Sequence, residues 1–261
     1  MRIIVSIKQV PNTNDVRIDP KTGTLIREGV ESIVNPEDLN AVEAALGLRD
    51  KFGGQVVVVS MGPPQTEEAM REVLAMGVDE AYLLTDRALA GADTLATAYS
   101  LSRAIRKIGE FDLVICGRQA IDGDTAQVGP QLAEFLKLPQ ITYVRKLDVE
   151  NNSVVAERVL ENGYEIVKAS IPALLTVTKE MNRPRYPTMS GIRLSFREKE
   201  IRWWKAEDFD AEPWRIGLEG SPTWVKTTFS PPPKAPGQIL KGTAKEIGRE
   251  VVRRLTEKNL I

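Results

Sequence analysis

The sequence contains no histidine among its 261 residues. Histidine is the commonest general base and a frequent zinc ligand, so its absence excludes Ser-His-Asp and Cys-His mechanisms and the usual zinc sites. We therefore expect no catalytic residue and no metal site in this chain. Any redox or group-transfer chemistry would have to come from a bound cofactor.

Cysteines and long apolar segments are scarce as well. Cys116 is the single cysteine, which excludes an internal disulfide and is typical of a reducing compartment. The longest apolar runs, such as residues 55–61, are far too short to span a bilayer, and the N-terminus lacks the architecture of a signal peptide. We expect a soluble, cytoplasmic protein without direct membrane insertion.

The chain also lacks an excess of either charge. Its 35 basic and 36 acidic residues give a net charge of −1, which argues against a nucleic-acid partner and against a basic membrane-binding surface. Hydrophobic residues make up 42% of the sequence, an ordinary share for a globular protein, and a chain of this length can bury a real core.

The first 140 residues alternate between β-branched runs and amphipathic segments, a pattern typical of βαβ units. We therefore predict the α/β class, with a doubly wound and mostly parallel sheet. The predicted strands are Ile3–Lys8, Gln55–Met61, Ala81–Leu84 and Phe111–Cys116, and the predicted helices begin at Asn35-Pro36, Thr66, Asp93 and Thr125. Asn35 is expected to cap the first of these helices, with Glu37 and Asp38 at the positive end of its dipole.

Ligands of such sheets bind beyond the carboxyl ends of the strands, at the topological switch point. This rule singles out four connecting segments as candidate binding loops: Lys8–Asn14, Ser60–Pro64, Asp86–Asp93 and Gly117–Gln127.

After Pro139 the sequence becomes rich in strands. Asn162-Gly163 is a strong hairpin signal, so the runs on either side of it predict an antiparallel β ribbon, and Ala173–Thr178 is expected to complete the parallel sheet. From about Arg193 the pattern changes again, with Trp203, Trp204, Trp214, Trp224 and the prolines 231–233 and 236.

Few periodic elements accompany these tryptophans and prolines, so we predict a domain over residues 1–192 and an extended C-terminal arm over 193–261 that packs on another subunit. Within the arm, Thr243–Lys258 predicts an amphipathic helix, with Ile247, Val251 and Leu255 on one side.

The turn after the fourth strand is the most informative segment. A strand ends at Gly117, a polar turn follows, and a helix is predicted from Thr125, so backbone N–H groups and the helix dipole would suit a phosphate. Alternatively, Asp124 or Thr125 merely caps the helix. The residues alone leave both interpretations open, and neither a Walker A loop nor a GxGxxG fingerprint occurs there.

Residues 120–129, AIDGDTAQVG, resemble the nucleotide-phosphate loop of electron-transfer flavoprotein beta subunits. Other motifs of that family follow in the expected order along essentially the whole chain, with Asn162 departing from the usual glycine or acid, which a turn tolerates. They are residues 7–11 (IKQVP), Asn35-Pro36, 43–45 (EAA), 60–63 (SMGP), 74–77 (LAMG), 156–165 (AERVLENGYE), 172–176 (PALLT) and 182–189 (NRPRYPTM).

The resemblance implies a Rossmann-like, adenine-nucleotide hydrolase-like domain in an obligate heterodimer with an alpha subunit that holds its own FAD. Housekeeping members of the family bind a structural AMP in the beta subunit, whereas bifurcating members bind a second FAD and accept hydride from NADH. Residues 123–128 look like the bifurcating version, and residues 91–97 are similar to the segment beside its second flavin. FAD is therefore the expected cofactor, AMP the alternative, and NADH the expected electron donor.

The resemblance also assigns roles to residues of this chain. Electrons would pass to the alpha-subunit flavin and on to a dehydrogenase or low-potential acceptor, so oxidoreductase activity is expected only within a complex. The expected cofactor-binding residues are Ser6, Asn35, Met61, Cys116, Asp122, Gly123, Asp124, Thr125, Ala126, Gln127 and Val128, with Asp93, Thr94 and Thr97 near NADH or flavin, and Arg185, Tyr186 and Met189 in a partner-recognition loop.

Several of these residues also have ordinary structural interpretations. Cys116 fits a small core residue, Asp93 fits a helix N-cap, and Lys8 and Arg118 fit surface ion pairs as well as phosphate contacts. Two other functions stay open. The first is a stand-alone adenine-nucleotide sensor, which leaves the C-terminal arm unexplained. The second is an ATP pyrophosphatase; such enzymes have a phosphate loop rich in serine and glycine after the first strand, which residues 10–14 do not resemble.

Overall fold

The computed structural model describes residues 1–12, 31–227 and 237–261. The first half begins with three strands, and from the third of these to Leu136 strands and helices alternate. The elements are β1 (Arg2–Ile7), β2 (Gln9–Pro11), β3 (Ser32–Val34), α1 (Pro36–Phe52), β4 (Gln55–Met61), α2 (Glu67–Met76), β5 (Glu80–Leu84), α3 (Thr94–Ile108), β6 (Leu113–Gly117) and α4 (Val128–Leu136). The second half adds β7 (Gln140–Glu150), β8 (Ser153–Leu160), β9 (Gly163–Ser170), β10 (Ala173–Val177), α5 (Met189–Arg197), β11 (Ile201–Trp204) and α6 (Ala244–Glu257).

Among the described residues, one large sheet has the strand order β11-β5-β4-β1-β6-β10-β7-β8-β9. The strands from β11 to β7 are parallel, and β8 and β9 continue the sheet as an antiparallel ribbon. The predicted α/β class, with a mostly parallel sheet and an antiparallel ribbon, is confirmed. A separate pair, β2 and β3, lies next to the end of β1.

Helices cover both faces of the parallel sheet. Alternate residues of β1 and β4 point to opposite sides, so Val5 and Val58 pack beneath α1 and α2, whereas Ile4 and Val57 pack against α3 and α4. Because it is covered on both faces, β4 has a continuous run of buried valines rather than an alternating pattern.

Helix α4 begins three residues later than its sequence pattern predicts. The pattern places its first residue at Thr125, but the helix runs from Val128. Asp124 and Ala126 have left-handed backbone angles, φ of 47° and 52°, which a right-handed helix cannot contain. The polar turn is therefore longer than expected.

The structure differs from the extended-arm prediction in its first part. Residues 189–204 form α5 and the edge strand β11, which pairs in parallel with β5. Trp204 packs on Tyr82, with ring centroids 4.7 Å apart, and Phe209 and Ile216 fill the core beside α3. Four residues are too short a strand for its periodicity to be visible in the sequence. The proline-rich part of the predicted arm, with prolines 231–233 and 236, lies outside the described residues.

Helix α6 lies near the end of the chain. Thr243 and Glu246 form a reciprocal capping box at its N-terminus. None of its side chains is buried, although its sequence is amphipathic. Across the described residues, no helix combines the length and the apolar character that a membrane crossing requires.

Candidate functional site

The carboxyl ends of β1, β4 and β6 lie side by side at one edge of the sheet. The chain moves from β1 outward to β4 and β5, then returns to add β6 on the opposite side of β1. This reversal is the topological switch point, where ligands of such sheets bind. The residues that follow these strands therefore form the candidate site.

Asp38, in the first turn of α1, connects the ends of β1 and β6. Its carboxylate accepts the backbone N–H of Lys8 at 2.8 Å and that of Gly117 at 3.0 Å. Burial raises the pKa of this carboxyl to about 7, and the two N–H donors oppose that rise. A Cβ at Gly117 would lie 2.3 Å from Asp38 Oδ1, so glycine is required for this close approach.

Asn35 connects α1 to the β6–α4 turn, which we define as residues 118–127. Asn35 occupies the N-cap position predicted from the sequence, but its side chain makes no capping hydrogen bond. Instead its amide donates to the carbonyl of Gln119 at 2.9 Å, and its Oδ1 accepts from the N–H of Ile121 at 3.1 Å. The predicted capping role was wrong, because the fully buried side chain stabilises the turn.

Glu37 makes a third connection to the same turn. Its carboxylate accepts the N–H of Gln119 at 3.1 Å and pairs with the Arg118 guanidinium at 2.9 Å. Burial raises the pKa of Glu37 despite the nearby arginine. Three polar residues at the start of α1, Asn35, Glu37 and Asp38, therefore fix the beginning of the turn.

Lys8 and Arg118 both form ion pairs, which is one of the two alternatives left open by the sequence. Lys8 Nζ lies 2.7 Å from the carboxylate of Asp122, and Arg118 is paired with Glu37. The turn therefore offers a ligand its backbone rather than unpaired lysine or arginine side chains. The charge of Asp122 is compensated locally.

The backbone of the turn has an unusual shape at its exposed centre. Asp124 and Ala126 have left-handed backbone angles, whereas Gly123 does not. Successive N–H groups around left-handed residues form concavities that bind anions. Gln127 then precedes α4 without a side-chain capping hydrogen bond, so backbone N–H groups at the helix start remain for an anion.

The N-terminus of α3 forms a second wall of the site. Thr94 Oγ1 donates to Gln127 Oε1 at 3.1 Å, which places the predicted 93–97 segment directly beside the turn. Asp93 is the N-cap of α3, accepting the N–H groups of Leu95 and Ala96. Thr97 is partly exposed one turn further along. A contact of Asp93, Thr94 or Thr97 with NADH or flavin stays a prediction.

The end of β4 and the residues that follow it form a third wall of the site. Met61 is partly exposed at the strand end, and the buried hydroxyls of Ser60 and Thr66 have no hydrogen-bond partner among the described residues. Buried hydroxyls without partners are costly unless a ligand or water satisfies them. From the sequence, Ser60 is only part of the 60–63 motif and of a candidate binding loop, and Thr66 is only a predicted helix start, so neither was named as a cofactor-binding residue.

Ser6 and Cys116 lie opposite each other on β1 and β6, and each is one residue before the end of its strand. Burial raises the pKa of the Cys116 thiol, so the thiol stays protonated at neutral pH. Cys116 is therefore a small residue in the floor of the site and not a reactive thiolate.

The predicted partner-recognition residues divide into two kinds. Arg185 is anchored to α1, because its guanidinium pairs with Glu43 at 2.8 Å and with Asp50 at 2.9 Å. Tyr186 and Met189 are each 83% exposed. Met189 opens α5 instead of ending a loop, with Thr188 as the N-cap. We define the α5 face as Tyr186, Met189, Ile192 and Phe196, which are all exposed.

The chain is similar to known proteins over its full length. Residues 22–208 match the family model described as electron transfer flavoprotein domain. An electron transfer flavoprotein subunit beta of Thermoanaerobacterium thermosaccharolyticum is 56% identical, with both chains covered completely. The caffeyl-CoA reductase-Etf complex subunit CarD of Acetobacterium woodii is 52% identical, again over 100% of both chains. The acryloyl-CoA reductase electron transfer subunit gamma of Anaerotignum propionicum is 43% identical, also over 100% of both.

Proposed function

The chain belongs to the electron-transfer flavoprotein family as a beta subunit, and from this premise we propose that it binds FAD and passes electrons from NADH to the flavin of an alpha subunit. The observation that carries the proposal is the β6–α4 turn, with its two left-handed residues and the uncapped start of α4. A backbone of this shape suits the pyrophosphate of a dinucleotide.

The residues around the turn fit such a cofactor. The backbone of residues 122–128 would bind the pyrophosphate, and Ser6 and Met61 at the neighbouring strand ends would contact the adenosine. The buried hydroxyls of Ser60 and Thr66 lack partners among the described residues and are available donors beside this position. Bound FAD would supply hydride acceptance and single-electron transfer, which require no acid–base side chain from a histidine-free chain.

The contribution of the protein is to fix the turn before the cofactor binds. Asn35, Glu37 and Asp38 bind backbone groups at 117–121, so the turn loses little freedom when a ligand arrives. Lys8 compensates the charge of Asp122, which reduces its repulsion of phosphate oxygens.

We also propose an obligate heterodimer whose electrons leave through a reductase or dehydrogenase partner. Two relatives carry names that place them with caffeyl-CoA reductase and acryloyl-CoA reductase, which supports a reductase as the partner class. The α5 face would contact that partner, with Met189 as its anchor. The arm that packs on the alpha subunit would include α6, which has no buried side chain.

The experiment that tests the proposal is a count of FAD and AMP per heterodimer after co-expression with the alpha subunit. Two FAD molecules and no AMP are expected. One FAD with one AMP would overturn FAD binding by this chain and indicate a housekeeping electron carrier. A nucleotide-loaded monomer from the chain expressed alone would contradict the obligate heterodimer.

The role of NADH has a separate test. The complex is expected to oxidise NADH while it reduces a low-potential acceptor and a high-potential acyl-CoA acceptor together, so that omitting either acceptor stops both reductions. Reduction of the acyl-CoA acceptor at an undiminished rate without the low-potential acceptor would contradict bifurcation.

A further inference from the structure

Asp93 uses its two carboxylate oxygens in two different directions. Oδ1 accepts the N–H groups of Leu95 and Ala96 at 3.0 and 3.1 Å and so caps α3. Oδ2 accepts from Thr223 twice, from its N–H at 3.1 Å and from its hydroxyl at 2.7 Å. Both oxygens are therefore occupied by protein donors that lie far apart in the sequence.

The segment that contains Thr223 is fitted closely to the loop that precedes Asp93. Leu218 N–H donates to the carbonyl of Ala90 at 3.0 Å, and the N–H of Asp93 donates to Ser221 Oγ at 2.8 Å. A Cβ at Gly217, where φ is 57°, would lie 2.1 Å from the carbonyl oxygen of Ala88. Residues 217–223, which we name the clamped segment, therefore have one defined position.

The neighbour of Asp93 makes the opposite connection. Thr94 donates to Gln127, the last residue of the β6–α4 turn. Two adjacent residues at the start of α3 thus bind the proposed cofactor turn on one side and the clamped segment on the other. The chain continues from Thr223 towards α6, whose apolar side chains are not buried.

We propose that Asp93 is a positioning residue that links the β6–α4 turn to the clamped segment, so that nucleotide binding at the turn and docking of the C-terminal arm on the partner subunit strengthen each other. The docking of the arm on the partner subunit rests on the proposed function, whereas the hydrogen bonds between Asp93 and Thr223 concern this chain alone. Coupling of this kind is reciprocal, because each event must favour the other by the same factor.

The charge of Asp93 supports this role. Burial acts to raise the pKa of the carboxyl, but hydrogen bonds from Ala96, Thr223 and Leu95 outweigh it, and the pKa falls below its ordinary value. The carboxylate is therefore ionised at neutral pH, and hydrogen bonds to an ionised acceptor are stronger than those to a neutral one.

The test uses the co-expressed complex and the variant Asp93→Asn. Asparagine still caps a helix well, but its amide nitrogen cannot accept the two Thr223 donors. Asp208→Asn is the matched control, because Asp208 accepts the N–H of Lys205 at 2.7 Å in another capped turn, whereas the Thr223 hydrogen bonds in the described part of the chain go to Asp93. Hydrogen–deuterium exchange at residues 217–223 is the first measurement.

We expect Asp93→Asn to accelerate exchange across the clamped segment by about tenfold or more, because two hydrogen bonds to a charged group are lost. Asp208→Asn should leave that segment unchanged. Thr223→Val removes one of the two donors and should give a smaller increase. Exchange at 217–223 that is equal in Asp93→Asn and wild type would overturn the clamp.

The coupling has its own measurement, made with whichever nucleotide copurifies, FAD or AMP. Removing it should accelerate exchange at 217–223 in the wild type but add little in Asp93→Asn, and the nucleotide should dissociate faster from the variant. An equal response of both proteins to nucleotide removal would overturn the link. Failure of the proposed function would show separately, as AMP instead of FAD or as a chain without its partner subunit.

Discussion

The β6–α4 turn and the α5 face use their side chains in opposite ways. At the turn, buried polar groups of α1 bind backbone atoms more than 70 residues away in the sequence, so a short exposed loop keeps one shape. On the α5 face, apolar side chains are exposed while Arg185 anchors the segment from beneath. Contacts within this chain fix the first region, whereas the second exposes an apolar surface that we propose another protein covers.

The strongest way to test the rigidity of the turn is Gly117→Ala. The added Cβ would lie 2.3 Å from Asp38 Oδ1 and 2.8 Å from the carbonyl carbon of Glu37, so α1 and β6 must separate. We expect a loss of about 3 kcal/mol in the free energy of unfolding, measured by urea denaturation, together with loss of the beta-subunit nucleotide.

Gly123→Ala is the matched control for this substitution. Nothing lies within 4 Å of a Cβ at Gly123, and its φ is outside the left-handed region. Its stability should stay within about 0.5 kcal/mol of the wild type. If the two variants were equally stable, the close packing of α1 on β6 would not be what fixes the turn.

A pH series sharpens the same comparison through Asp38. Its pKa in the folded protein is about 7 against an ordinary value of 3.8, so the folded state binds the extra proton between these values. The stability that this proton contributes is complete below about pH 4 and is lost as the pH rises through 7. Glu37, whose pKa burial also raises, acts in the same direction, while Lys8 and Arg118 are the nearby positive charges.

Asp38→Asn removes the titrating group but keeps its size. It should lower the free energy of unfolding by about 2 kcal/mol, because an amide nitrogen would face a backbone N–H in a buried position. The difference from the wild type should narrow as the pH rises from 4 to 7. A difference that stays constant over this range, measured by urea denaturation, would show that Asp38 does not titrate there.

Ala126→Val tests the turn without disturbing its supports. A β-branched side chain at φ of 52° is strained by about 1–3 kcal/mol, which corresponds to a loss of nucleotide affinity of about 5- to 150-fold. The alpha-subunit flavin should stay bound. Thr125→Val is the control, because Thr125 is exposed and has no left-handed backbone. Equal nucleotide content in the two variants would argue against a role for the backbone of Ala126.

A substitution on the α5 face should have the smallest effect on stability and should selectively weaken the reaction with the partner reductase. Met189→Ala removes an exposed side chain, so unfolding should change by less than about 0.5 kcal/mol, while the KM for the partner reductase should rise about fivefold or more. Met189→Leu should behave as the wild type. Arg185→Ala, by contrast, breaks partly exposed ion pairs and should cost about 1 kcal/mol of stability. Unaltered partner kinetics in Met189→Ala would remove this residue from the interface.

The sequence predicts the order of elements well, because hydrophobic periodicity, caps and glycine stops are local signals. It predicts the parallel sheet for the same reason, since βαβ units leave few topologies open. The turn was located correctly, but the residues that fix it were given other roles: Asn35 as a helix cap and a cofactor-binding residue, and Glu37 and Asp38 as partners of the helix dipole. Their true partners are long-range backbone groups, which no local pattern reveals.

Two other features were hidden for different physical reasons. Asp124 and Ala126 have left-handed backbone angles, whereas the adjacent Gly123, the residue type that adopts them most easily, does not, so residue type alone could not identify these positions. Strand β11 was missed because its charged and aromatic residues lack alternation, and because an edge strand buries little besides Ile201.

Strand β10 lies between β6 and β7, although it is made after both. While the protein is being synthesised, β6 leaves the ribosome some 60 residues ahead of the neighbour that completes its pairing, and every β6 residue is buried in the finished sheet. An unpaired, apolar strand edge is where nascent chains associate wrongly. The sheet is therefore not completed in the order of synthesis. The position between β6 and β7 is filled only after the β8–β9 hairpin has reversed the direction of the chain and β10 has been made.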